Sequence, residues 1–146
     1  MVTNPEIYRI IDANFNRSRE GLRVCEDIAR FILNSSVLSK DLKSQRHKIS
    51  SIVKSSCGIS DRLLRSRDVN GDVGKEPDFG IEVPRQKAKD IFSANIERVK
   101  ESLRVLEEFL KLIDLKASAN IQKIRFKAYD IEKKAVIKLS TPKYSK

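Results

Sequence analysis

A chain of 146 residues with 40% hydrophobic residues, 6% aromatics and no Trp is long enough to build one domain around a real core and too apolar to be disordered. Thirty Lys plus Arg stand against twenty Asp plus Glu, a net charge of +10, which points to anionic partners such as phosphorylated metabolites, nucleotides or nucleic acid. No apolar run is long enough to span a bilayer, the opening residues Met1 to Tyr8 lack a basic-then-apolar leader pattern, and two cysteines make no disulfide framework, so a cytoplasmic protein is expected.

The first helix is predicted to start at Asn4-Pro5, with Asn4 as N-cap, and to run to Leu33. Its inward stripe reads Ile7, Ile11, Asn14, Ser18, Gly21, Cys25, Ile28, Ile32, apolar at both ends and polar or small in the middle. Cys25 on that stripe reads as a small buried hydrophobe rather than a reactive thiol. Asn34-Ser35-Ser36 ends the helix, and a second is expected from about Ser39 to Ser56, with Leu42, Ile49, Ile52 and Val53 inward and Cys57-Gly58 closing it. A short turn or helix over Asp61 to Leu64 follows. Residues 65–84 then change character, holding three of the five glycines and two of the four prolines. Loops of that length inside a compact domain are usually functional or disordered. The third long helix is predicted from about Arg85 to Leu112, with Ile91, Asn95, Val99, Ser102, Leu106, Leu110 and Ile113 inward. A fourth runs from about Ser118 to Leu139, with Ile121, Ile124, Ala128, Ile131 and Ala135 inward, before a frayed tail from Ser140. No segment has the alternation of a strand. The expected fold is all-α: a single domain over 1–146, with four main helices and a long Gly/Asp loop.

The chain repeats itself. Ala13 to Glu26 matches Ala94 to Glu107 at eight positions with a constant offset of 81, most of them polar or charged. Helices two and four echo each other at an offset of 79, pairing Leu42/Ile121, Arg46/Arg125 and Lys48/Lys127. The duplicated unit is therefore a helical hairpin, with halves of about 5–57 and 85–139. Packing alone would preserve apolar positions, so a repeat of charges suggests a site built between related halves.

The repeated set is Asn14, Arg17, Glu20, Arg23, Glu26 and its copies Asn95, Arg98, Glu101, Arg104, Glu107. Arg23/Glu26 and Arg104/Glu107 can serve as surface i,i+3 pairs. The alternative is phosphate capture, with planar guanidinium forks matching phosphate oxygens and a Glu orienting the Arg or holding a metal. The segment from Arg67 to Gly74 offers glycines for close approach to a phosphate, and Asp68 and Asp72 as Mg²⁺ ligands or a proton acceptor; a turn with no ligand explains it equally. It is neither a P-loop nor an EF-hand. His47, the only histidine, sits beside Arg46 and more often packs or hydrogen-bonds than acts as a base; no zinc-type or nucleophile–base set is supported.

These motifs resemble the small all-helical hydroxymethylpyrimidine-phosphate kinase domain of thiamine biosynthesis, found alone or fused in front of thiamine-phosphate synthase. The resemblance is carried by Tyr8 to Phe31, Gln45-Arg46-His47, Ser66 to Gly74, Ala94 to Glu108, and Ile124-Arg125-Phe126 with Tyr129 and Glu132, with Gln45, Ser66 and Phe126 replacing commoner residues. It implies ATP- and Mg²⁺-dependent phosphorylation of 4-amino-5-hydroxymethyl-2-methylpyrimidine phosphate to the diphosphate. By the same resemblance Arg17, Arg23, Arg98 and Arg104 would clamp phosphates, and Asn14 and Asn95 would orient substrate. Arg46, His47, Arg67 and Arg125 would join the binding set. Asp68 with Glu20 and Glu101 would be catalytic, and Asp68 and Asp72 would hold Mg²⁺. With no synthase domain after Lys146 in this sequence, a stand-alone version or one separated from its synthase is expected. Thiamine-phosphate synthase is an expected partner, and a homodimer could complete the site. The rival readings are a non-catalytic basic module that binds nucleic acid, which would gather exposed arginines on one face, and a helical domain that only partners the synthase. A kinase instead requires arginines converging with acids in a concave site, with Glu20 and Glu101 buried beside them.

Overall fold

A computed structural model describes residues 4–56, 59–76 and 84–144. Five helices carry the fold: α1 (Pro5–Asp27), α2 (Ser36–Ser55), α3 (Ile59–Ser66), α4 (Ala88–Leu110) and α5 (Leu115–Leu139). There is no strand among the described residues. The expected closure of α2 by Cys57-Gly58, and the loop from Pro77 to Val83, lie outside the described residues.

Local chemistry sets the helix starts. The Asn4 side chain accepts from the Glu6 N–H at 2.9 Å. Ser35 accepts from the Leu38 N–H at 3.2 Å, so α2 begins at Ser36, three residues earlier than the apolar pattern suggests. Asp114 does the same for the Ala117 N–H at 3.1 Å, so α5 begins at Leu115 rather than Ser118. In each case the cap, not the first inward residue, fixes the boundary. Asp90 accepts from the Lys87 N–H at 3.1 Å and starts α4 at Ala88, past the expected Arg85.

The first helix does not run α-helical to Leu33. Ile28–Ile32 form a π-turn, with the Leu33 N–H bonded to the Ile28 carbonyl at 3.0 Å. The inserted residue rotates the face, so Ala29 and Leu33 turn inward and Ile32, expected inside, is 41% exposed. Asn34 then reverses the chain in the left-handed region at φ 50°, which Asn tolerates better than most residues. A similar correction applies to α4: Phe92 and Ile96 are fully buried, while Ile91 is exposed and Asn95 half-buried. The tail carries a 3₁₀ turn over Pro142–Tyr144, with Tyr144 packed against the core.

Packing makes a square. α1 lies against α4, each hairpin closes on itself (α1 with α2, α4 with α5), and α2 meets α5 on the far side. α1 and α4 run antiparallel: Cys25 Sγ approaches the Phe92 carbonyl, and Gly21 sits against Asn95 and Val99. A Cβ at Gly21 would lie 2.7 Å from Val99 Cγ2 and 3.0 Å from the Asn95 carbonyl oxygen, so glycine permits the close crossing. The core includes Ile11, Leu22, Cys25, Leu42, Ile49, Phe92, Ile96, Leu103, Leu106, Leu110 and Ile121. Burial pushes the Cys25 thiol up to about 12, with Glu132 adding to the shift, so this cysteine is an inert core residue.

The charge repeat has a structural meaning. Glu26 and Glu107, expected on the outer surface, are buried. Glu107 Oε2 accepts from Arg125 Nε at 2.9 Å. Glu26 Oε2 accepts from Arg46 Nε at 3.2 Å, and Arg46 Nη2 stands 3.1 Å away. Each hairpin is therefore cross-braced by the same ion pair.

Candidate functional site

Two adjoining clefts lie along the α1/α4 edge and the loop that follows α3. One, of about 460 Å³, is lined by Arg9, Asp12, Asn14, Arg17, Arg67, Asp68 and Asp72 among others. The other, of about 320 Å³, is lined by Asn14, Arg17, Arg98, Glu101, Ser102 and Val105. Asn14 and Arg17 belong to both, so the two form one groove.

Asp12 anchors the loop. Arg67 donates to it through Nε at 2.7 Å and Nη2 at 2.9 Å, a bidentate pair to a carboxylate on α1. Hydrogen bonding to Asp12, and then its charge, raises the Arg67 pKa above its ordinary value, so Arg67 stays a cation. Arg9 Nη2 donates to the Asp68 carbonyl at 3.4 Å. Asp68 and Asp72 accept the N–H groups of Gly71 and Gly74, both at 2.8 Å. A Cβ on Gly71 would lie 2.2 Å from the Asp68 carboxylate, so a side chain there would push that carboxylate off the Gly71 N–H.

The polar centre of the α1 stripe is satisfied locally. Asn14 Nδ2 donates to the Ile10 carbonyl at 2.9 Å, and its Oδ1 accepts from Arg17 Nη1 at 3.4 Å. Asn95 repeats the first bond, to the Ile91 carbonyl at 2.8 Å. Ser18 and Ser102 bond backward to the carbonyls of Phe15 and Val99. Such back-bonding lets polar residues sit mid-helix without orphaned groups.

The groove thus gathers Asn14, Arg17, Arg67, Asp68, Asp72, Arg98 and Glu101 from the expected set. It does not gather the rest. Arg46 and Arg125 are committed to the buried braces. Arg23 faces solvent near Glu26 and Asp27, at 3.8 and 3.9 Å. Arg104 pairs with Glu108 at 3.3 Å, not with Glu107, and lines an α4/α5 cleft that shares only Glu101 with the groove. Asn95 lines neither cleft of the groove, and His47 lies on the α2/α5 side of the molecule. Glu20 and Glu101 are both exposed, so the expected burial beside the arginines is not met, although Glu101 does line the groove. Sequence reasoning passed over Asp12, Arg9 and Lys100. The last is buried and joins Glu97 and Glu132, the latter at 2.9 Å, with its ammonium over the Tyr129 ring.

Arg17 and Arg98 exchange places under the internal repeat, line the same groove, and have no carboxylate partner among the described residues. Taken whole, the groove sets four arginines against five carboxylates, so it carries no excess of positive charge for an anion. Among the described residues no three acidic, His or Cys side chains converge as a metal-ligand set. Mg²⁺ is commonly held by one or two carboxylates with phosphates and water completing the shell, and Asp68 and Asp72 fit only that arrangement.

Among the described residues no helix is long and apolar enough to cross a membrane. No solved structure matches the chain. It is 37% identical over 126 residues to the thiamine-phosphate synthase of Nostoc sp. strain PCC 7120, covering 86% of this chain and 34% of the relative. It is 36% identical over 142 residues to that of Rhodopirellula baltica, covering 95% and 37%. To that of Synechocystis sp. strain PCC 6803 it is 37% identical over 126 residues, covering 86% and 35%. The chain therefore spans about a third of the length of the curated relatives it matches, and is related to one segment of thiamine-biosynthetic proteins. The model of the ThiD2 family matches residues 9–134, which take in both hairpins and the loop between them: the chain belongs to the ThiD2 family.

Proposed function

We propose that the α1/α4 groove performs phosphoryl transfer in thiamine biosynthesis, from ATP to 4-amino-5-hydroxymethyl-2-methylpyrimidine phosphate, giving the diphosphate and ADP. The observation that carries this reading is the pair Arg17 and Arg98, both without a carboxylate partner among the described residues, in one groove beside the Asp68–Asp72 loop. Relatives named as thiamine-phosphate synthases support the pathway, and thiamine-phosphate synthase is the proposed partner.

The attacking atom would be a phosphate oxygen. A phosphate monoester has its second pKa at about 6, so the nucleophile is already anionic near neutral pH and needs no strong base. The demands are positioning and charge neutralisation. Arg17 and Arg98 would clamp phosphate oxygens from opposite helices, and the Asn14 side chain would hold the Arg17 fork. Mg²⁺ held by Asp68 and Asp72 would supply the positive charge that the groove itself lacks. Glu101, which lines the groove with Arg98, would orient that guanidinium, while Glu20, outside both clefts, is not assigned a step.

The test is a coupled ADP-release assay with the pyrimidine monophosphate, ATP and Mg²⁺. Turnover should appear, and Arg17→Ala or Arg98→Ala should lower kcat/KM by about a hundredfold, in line with the loss of one positioned transition-state donor. Absence of turnover, or arginine variants equal to the native chain, overturns the proposal and favours a non-catalytic partner domain.

A further inference from the structure

The α2/α5 edge, opposite the groove just described, holds a larger cavity of about 810 Å³. Its rim carries Lys40, Lys43, Lys48, Lys123 and Lys127 together with His47, and no carboxylate lines it. Lys127 approaches Asp41 and Asp130, at 3.9 and 3.5 Å, but the other four lysines have no ion pair among the described residues. Its floor is Ile52, Ile124 and Gln45. Gln45 is only 5% exposed, yet its amide has no hydrogen-bond partner among the described residues. Neither its nitrogen nor its oxygen is sealed off without a partner, so the amide opens onto the cavity, where its donors and acceptor can meet water or a ligand. Packing does not demand it: at an offset of 79 the equivalent residue on α5 is Ile124, buried to the same degree in the same cavity.

We propose that this cavity is a second ligand site, for a phosphorylated heterocycle, with the ring's donor–acceptor edge on the Gln45 amide and its phosphates on the unpaired lysines. Lysine suits phosphate as a point charge, and a volume of this size is that of a small-molecule pocket. Among the described residues no Phe, Tyr or Trp lines the cavity and His47 is its one ring, so it lacks the row of stacking side chains that single-stranded nucleic acid uses. Two sources share the chemistry, a nucleotide or an aminopyrimidine phosphate. The site lies on the other side of the bundle from Arg17 and Arg98, and the inference stands whether or not transfer occurs there.

The test is calorimetric titration of ATP, the aminopyrimidine monophosphate and inorganic triphosphate into the Arg17→Ala/Arg98→Ala double variant, which disables the first groove. One of the two heterocyclic phosphates should bind, identifying the source. Adding Gln45→Leu should weaken that ligand about tenfold, leave triphosphate unchanged and not lower Tm. Adding Lys43→Ala/Lys48→Ala/Lys123→Ala should weaken both the heterocyclic ligand and triphosphate. Absence of heterocycle binding, or a Gln45→Leu variant with unchanged affinity, overturns the inference, as does triphosphate binding that ignores the lysines.

Discussion

Replacing Arg125 by Met tests whether the repeated Glu–Arg pairs brace the hairpins or serve a ligand. The Glu107 and Arg125 side chains are 5% and 12% exposed, and Arg125 is the partner of Glu107 at 2.9 Å. Removing the cation strands a carboxylate where water can barely reach it, and breaking such a pair costs about 3–5 kcal/mol. Against a total stability of roughly 5–15 kcal/mol for a domain, that is a large share. With a urea m-value of about 2 kcal/mol/M, the midpoint should fall by roughly 2 M in equilibrium unfolding followed by circular dichroism. The double variant Glu107→Leu/Arg125→Met should regain most of the loss, because apolar replacements of both partners leave no buried charge. Arg46→Met should cost less than Arg125→Met, since Arg23 remains 3.8 Å from Glu26. An Arg125→Met midpoint within about 0.5 M of the native chain, with no recovery in the double variant, would refute the brace.

Gly21→Ala gains about 1 kcal/mol of helix propensity but forces a methyl against Val99 and the Asn95 carbonyl, and overpacking of this kind costs about 1–3 kcal/mol. The net effect should be destabilising, and a raised Tm would contradict the close crossing. Asp12→Ala releases Arg67 and should speed limited trypsin cleavage after Arg65 or Arg67 while leaving helical circular dichroism intact; an unchanged cleavage rate would show that Asp12 does not hold the loop. In a Cys57→Ser background, Cys25 should resist a thiol reagent at pH 8 unless the chain is unfolded. The folded thiol ionises only near 12, so the unfolded thiol ionises first. Cys25 therefore leaves stability intact below the ordinary thiol range and erodes it as pH rises from that range toward 12. Stoichiometric labelling of the folded chain would be incompatible with its burial.

The all-helical class and the inward faces of α2 and α5 were legible in the sequence, because period and apolarity agree there. The boundaries were not: Ser35 and Asp114 cap their helices ahead of the first inward residue, and the π-turn after Asp27 changes phase without an obvious local cue. In the candidate site, Arg17, Arg98 and the Asp68–Asp72 loop were found through the repeat and the change in composition. The repeat also misled, since it marks Arg46 and Arg125 as strongly as Arg17 and Arg98, and only tertiary contacts separate a brace from a free cation. Asp12 was invisible because its partner lies 55 residues away. A charge balance summed over the whole chain hid a groove with no excess of cations and a lysine cavity behind it.

The tandem hairpin has an evolutionary consequence. A symmetric dimer of one hairpin would change every position twice, once in each copy. Joined in a single chain, the copies can drift apart one residue at a time. The buried Glu–Arg pair is identical in both halves, while Gln45 corresponds to Ile124, Arg19 corresponds to Lys100, and only the first copy leads into the Gly/Asp loop. Duplication kept a common frame and left each copy free to acquire its own chemistry.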